Sequence, residues 1–219
     1  MTTFAGLSGL TAAVASWMNR EDVDVNIETL IRLGEEQMSL FLRSRHNSKT
    51  ETLYVASGNH IPIPDDYIEL ISIQPVGTWD GTDSTSFVAS PKPAMTPVSF
   101  QSLTSYQSVQ GDTYPMNFAE TPDRTGWVPY PAGNWVFEVS YFATLEPVTD
   151  TQPYPNLFQR HGGAYLAAAL VEYENFLKLE PNERGPWKDK LDAYITTLNG
   201  ERRTSELSGG TLVTRSPYR

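Results

Sequence analysis

The hydrophobic repeat of this chain changes twice along its length, and that double change constrains the fold more than any single motif. Between Val25 and about Arg45, Ile27, Leu30, Ile31, Met38, Phe41 and Leu42 recur at helical spacing, with Glu28, Arg32, Glu35 and Glu36 off the stripe. This is an amphipathic helix with one apolar face. From Thr50 the repeat shortens to two. Thr52-Leu53-Tyr54-Val55 and His60-Ile61-Pro62-Ile63 then form candidate strands around a hairpin turn at Ser57-Gly58-Asn59. Ile68 to Val76 is apolar enough for a buried strand, and Trp135 to Phe142 is dense in aromatic and β-branched residues, the clearest strand in the chain. Helical spacing returns at Leu157 and holds to Asn199. A helical stripe must bury itself against another element, and here its partner lies about a hundred residues further on. The expected fold is α+β: an antiparallel helical bundle formed by N- and C-terminal helices, a β-rich insertion, and an extended C-terminal arm. The expected boundaries are 1–48 for the first half of the bundle, 49–151 for the insertion, 152–200 for the second half and 201–219 for the arm.

Local signals punctuate this plan. Leu7, Leu10, Val14 and Trp17 suit a short first helix, and Asp24 is a candidate N-cap for the second. Asn156 or the prolines before it open a third helix, which Pro181 stops near Leu179. Gly162 and Gly163 lie inside it; each costs about 1 kcal/mol against Ala, so close approach of another backbone is expected there. Asn182 is a candidate cap for a fourth helix carrying Trp187, Leu191, Tyr194, Ile195 and Leu198 on one face, with Gly200 as its stop. From Trp79 to Gly133, abundant Gly, Pro, Ser and Thr predict short strands and long loops rather than a helix. The aromatics of that block, among them Phe87, Phe100, Tyr106, Tyr114, Phe118, Trp127 and Tyr130, have two readings: the small core of a β domain, or a contact surface for a protein or a glycan.

Composition narrows the function. A net charge of −10 over 219 residues disfavours a general nucleic-acid binder, which needs a basic surface. The absence of cysteine excludes disulfides and thiolate chemistry. The apolar run Ala164 to Val171 is far short of the roughly 20 residues that cross a bilayer, so no membrane association is expected. With no Lys or Arg before Arg20, the first residues are not expected to be a secretory leader. His46, His60 and His161 lack the i, i+4 partner of a helical metal site, so no metal is expected. Asp65 and Asp66 are adjacent and point apart, unlike a catalytic pair across a cleft. Glu35, Glu36, Glu172 and Glu174 fit solvated helix faces. There is no nucleophile elbow, P-loop or dinucleotide fingerprint, and Ser208-Gly209-Gly210-Thr211 is only a lone glycine pair. No catalytic residue, cofactor or enzyme activity is therefore expected.

Three blocks in order carry a resemblance. They are Trp17-Met18-Asn19-Arg20-Glu21-Asp22 followed by Leu30-Ile31-Arg32-Leu33-Gly34-Glu35; Ile61-Pro62-Ile63-Pro64-Asp65-Asp66-Tyr67-Ile68-Glu69; and Tyr165 to Glu172 followed by Trp187 and the Arg-containing tail. Together they resemble the head-to-tail adaptor proteins of short-tailed bacteriophages, the connector and tail accessory factors. The resemblance implies a structural virion protein at the head–tail junction, made in the host cytoplasm. It implies a ring of about twelve copies, closed by head-to-tail lateral contacts. That ring joins the portal protein ring to the tail and continues the DNA channel, through which DNA passes without sequence-specific binding. The arm residues Arg202, Arg203, Arg215, Tyr218 and Arg219 would reach the portal, and the β region would face tail nozzle or fibre proteins. Trp17, Asn19, Arg20, Asp22, Pro64, Asp66 and Tyr67 would be the family-like structural motif. Residues 79–133 match none of it. The alternative is a tail-associated glycan-binding or cell-wall-degrading protein using its aromatic insertion.

Overall fold

In the computed structural model, residues 4–18, 26–44, 46–82, 86–106, 114–153, 155–180 and 184–208 are described. The chain is α+β and divides into two compact units: Met1–Asn47 with Thr144–Arg219, and Ser48–Ala143. The described residues hold five helices and two four-stranded sheets.

The first unit is helical. It contains α1 (Gly6–Met18), α2 (Ile27–Phe41), α4 (Asn156–Phe176) and α5 (Trp187–Ser208), with α1, α2 and α5 all packing on α4. Helix α2 is capped by Asn26, whose side chain accepts from Thr29 N–H at 3.3 Å. Asp24, the cap expected from the sequence, lies outside the described residues. The buried face of α2 holds Leu30, Ile31, Gly34, Glu35, Met38 and Ser39. Two of the expected placements are corrected here. Phe41 is 60% exposed rather than part of the stripe, and Glu35 is buried rather than solvated. The reason for the second is a polar network. Glu35 accepts from Arg32 Nη1 and Val148 N–H, both at 2.8 Å, and Ser39 Oγ accepts from Leu145 N–H at 3.0 Å while donating to the Glu35 carbonyl. These side chains satisfy backbone donors of the irregular segment after the sheet, which would otherwise be buried and unpaired. Residues 144–151 accordingly group with the helices, not with the insertion.

Helix α4 departs from helical geometry at His161 (φ −132°, ψ 41°). It ends before Pro181 matters. Lys178 takes a left-handed φ of 54°, with Leu179 N–H bonding Glu174 O and Lys178 N–H bonding Asn175 O, a 6→1 and 5→2 cap. A Cβ at Gly162 or Gly163 would meet side chains, Phe4 and Tyr194 respectively, not a backbone. The backbone approach lies at Gly34, where a Cβ would stand 2.9 Å from the Ala168 carbonyl carbon. Buried Ala164, Ala167, Ala168 and Ala169 keep that side of α4 flat. Helix α5 does not stop at Gly200. It runs to Ser208, so the first eight residues of the expected extended arm are helical. Glycine lowers helix stability but terminates a helix only when its backbone turns left-handed, and Gly200 does not.

The second unit is built of β1 (Ser48–Val55), β2 (Ile61–Pro62), β3 (Tyr67–Thr78), β4 (Val88–Ala89), β5 (Thr96–Pro97), α3 (Phe100–Tyr106), β6 (Asn117–Glu120), β7 (Gly126–Tyr130) and β8 (Trp135–Ala143). The sheets run β1-β8-β3-β4 and β2-β7-β6-β5. The expected hairpin is not formed. The chain does turn at 56–59, with Asn59 N–H on Ala56 O at 3.0 Å, but the strands on either side enter different sheets. β1 pairs with β8 over all eight residues, and Ile61 pairs with Trp127. β8 is the central strand of its sheet and is buried on both faces for much of its length. β3 is buried on one side only, at Ile73, Pro75 and Gly77, and its register against β8 shifts three times. Helix α3 corrects the expectation of no helix between Trp79 and Gly133. Ser99 opens it, its hydroxyl accepting from Ser102 N–H at 3.1 Å, and buried Leu103 anchors it. Ile61, Phe118 and Trp127 from one sheet share a core with Ile73, Phe137, Val139 and Tyr141 from the other.

Candidate interaction surfaces

On the helical unit, α2 turns a second, unexpected apolar edge outward. Leu33, Leu40 and Phe41 are 42%, 55% and 60% exposed, and Phe176 near the end of α4 is 54% exposed. Leu33 and Phe176 line one depression of about 370 Å³ with Asn26, Thr29 and Glu172. Phe41 lines another of about 480 Å³ with Val171, Leu191 and Ile195, rimmed by Arg184, Lys188 and Asp192. Large apolar side chains beside depressions with mixed-charge rims are features of protein contact surfaces.

At the end of α2, Asn199 of α5 accepts from Arg43 N–H at 2.6 Å and donates to Phe41 O at 3.1 Å. One amide side chain thus ends the α2 hydrogen-bond ladder and locates α5 against it. Trp17 of α1 packs edge-on to Trp187 of α5 at 5.0 Å, and Lys190 Nζ lies 4.2 Å above the Trp187 ring.

In the β unit a depression of about 510 Å³ is lined by Tyr67, Ile71, Met95, Phe118 and Trp127, with Glu69 and Glu120 among its polar residues. Burial pushes the Tyr67 phenol above its usual range, and the charges of Glu120 and Glu69 add to the effect. Beside it, Tyr141 Oη stands 2.8 Å from Glu51 Oε1 and 2.9 Å from Asp66 Oδ1, and Lys49 Nζ is 2.6 Å from Asp66 Oδ2. Burial acts to raise the Asp66 pKa, but the bonds from Lys49 and Tyr141 prevail and hold it below its usual value. For Tyr141, burial and then its two carboxylate neighbours drive the phenol strongly upward, so it stays a proton donor.

The residues singled out in the sequence do not converge on one site. Trp17 belongs to the helical unit; Pro64, Asp66 and Tyr67 belong to the β unit, where Tyr67 N–H bonds Pro64 O at 3.1 Å and closes a turn before β3. Arg202 and Arg203 lie on α5. Asn19, Arg20, Asp22, Arg215, Tyr218 and Arg219 lie outside the described residues. Of the candidate carboxylates, Glu35 holds Val148 and Arg32, and Glu174 is likewise buried rather than solvated, accepting from Gly185 N–H at 2.8 Å. The outward edge of α2 was missed because Leu33 and Leu40 sit off the main stripe. Their i, i+7 spacing was the available signal.

Among the described residues, no helix is long and apolar enough to cross a membrane. No curated protein matches the chain. The chain does match the SU10 adaptor protein family over residues 5–215, which covers both units. It belongs to that family and is a bacteriophage adaptor, a virion component that works through other virion proteins.

Proposed function

From that membership we propose that the chain is a structural, non-enzymatic head-to-tail adaptor, the ring that joins the portal to the tail and continues the DNA channel. The observation that carries this reading is the family match over nearly the whole chain, β unit included. The exposed edge of α2 with Phe176 supports it, because a ring subunit needs lateral faces that meet head-to-tail and close by rotation. About twelve copies form that closed ring. Residues 201–219, with Arg202, Arg203, Arg215, Tyr218 and Arg219, dock on the portal, and the β unit meets the tail nozzle or fibres. The net charge of −10 suits a channel wall that DNA crosses without sticking.

Native mass spectrometry of the purified chain, alone and mixed with the portal ring of the same virus, tests the proposal. Association in a fixed multiple near twelve is expected. A folded chain that ignores the portal would overturn it. A second reading, a glycan-directed tail protein, rests on the aromatic and acidic depression of the β unit. Clearing of a peptidoglycan suspension, abolished by substituting Glu69 or Glu120, would favour that reading.

A further inference from the structure

The helical unit brings two of the three histidines and one carboxylate to a single point. His46 follows α2, His161 sits at the kink of α4 and Glu201 rides on α5, and each offers a ligand atom within 4.8 Å of the other two. We infer that these three residues bind a divalent first-row transition metal, with zinc the natural occupant.

The donor set decides the class of metal. Two imidazoles and one carboxylate suit zinc and its neighbours, whereas calcium and magnesium take oxygen ligands throughout. The His46–Glu201 distance agrees. His46 Nε2 is 3.6 Å from Glu201 Oε2, longer than an N–H···O hydrogen bond. Ligand atoms held about 2.0–2.1 Å from a tetrahedral zinc are about 3.3 Å apart, so a few tenths of an ångström of side-chain movement closes the pair on a metal. The two imidazole rings are 5.7 Å apart and inclined at 64°, an edge-to-face approach that brings both histidines to the same point.

The backbone is arranged around the point as well. His161 is the one residue of α4 with non-helical φ and ψ. His46 is held by the turn after α2, its N–H on Ser44 Oγ at 3.3 Å, and its side chain is only 3% exposed. Two residues before Glu201, Asn199 clamps α5 to the end of α2. A metal here ties three separate segments at one place and leaves a fourth coordination position for water or for a side chain of another protein. Helical spacing could not reveal it, because each ligand comes from a different element.

The test uses the full-length chain without a histidine tag, stripped with a chelator and titrated with zinc chloride by calorimetry. One zinc per chain, an apparent binding enthalpy that shifts with the buffer's ionisation enthalpy because protons are released, and a higher melting temperature are expected. Loading with cobalt should give a visible d–d absorption band. Glu201→Gln keeps the size of a partly exposed side chain and removes its charge, and the metal-free melting temperature checks that the variant is folded. It and His161→Ala should each weaken binding by more than about 100-fold, beyond the 10–100-fold of outer-shell changes. His60→Ala, in the β unit, should bind as the parent does. Absence of stoichiometric binding, or binding unaltered in folded Glu201→Gln, would overturn the inference.

Discussion

In the helical unit α2 meets α4 where Gly34 makes room for the backbone at Ala168 and a run of buried alanines lines the seam; in the β unit the interior is filled by Phe118, Trp127, Phe137 and Tyr141. The first core depends on how little is present at the contact, the second on how much. The two should therefore fail in opposite directions, one by addition and the other by removal. A carboxyl in each unit is shifted in opposite directions too. Glu35 is held above its ordinary value of 4.5 by burial, against the bonds from Val148 and Arg32, whereas Asp66 is held below its ordinary 3.8.

The largest expected effect comes from removal in the β unit. Phe137 is fully buried on the central strand, and Phe137→Ala should cost about 3–5 kcal/mol by lost transfer energy and a residual cavity. Urea unfolding followed by hydrogen exchange should show the loss in residues 48–143; an equal loss in the helices would mean that the two units unfold as one. Next is addition in the helical unit. Gly34→Ala gains about 1 kcal/mol of helix propensity. Against this, its methyl must enter a space bounded by backbone at 2.9 Å, and overpacking of this kind costs about 1–3 kcal/mol. A net fall in melting temperature is expected, and a rise would show that the seam opens cheaply. Asn26→Ala should cost about 1 kcal/mol and fray the first turn of α2, read as faster amide exchange at Thr29.

The smallest effect is the sharpest contrast. The lowered Asp66 pKa contributes stability that is present above 3.8 and lost as pH falls through the folded value. The raised Glu35 pKa works the other way: its contribution is full below 4.5 and is lost as pH rises through the folded value. Acidification should thus weaken the β unit through Asp66 while relieving the helical unit through Glu35. Exchange rates across a pH series should show Asp66→Asn flattening the acid limb of the β unit and Glu35→Gln flattening the limb of the helical unit. The same slope before and after either substitution would break the contrast.

The legibility of the two units in the sequence follows from the same difference. Helix α2 and strand β8 announce themselves because their periodicity is local, and their limits fall within a few residues of expectation. Strand partners are not local. Val55 and Ile61 are six positions apart, yet they pair with Trp135 and Trp127 in different sheets, so a turn signal between them suggested a hairpin that does not exist. Helix α3 was hidden by its Pro- and Ser-rich surroundings, although Ser99 is an ordinary cap. Glu35 was misplaced because burial of a carboxylate depends on Val148, more than a hundred residues away. The surfaces were the least legible part. Phe41 is 60% exposed although its spacing in α2 places it on the apolar stripe, because it is the last residue of the helix and the partner at its carbonyl, Asn199, comes from far along the chain.

The split origin of the helical unit also sets an order of events during synthesis. Helices α1 and α2 leave the ribosome roughly 100 residues before α4, the helix that covers them both. At about 5–20 residues per second, their apolar faces wait on the order of 5–20 s for a partner. The β unit is contiguous and complete by Ala143, so it can close on itself during that interval. The nascent chain thus carries a folded module between an uncovered pair of helices and the peptidyl-transferase centre, and the final α-helical step must capture both ends across it.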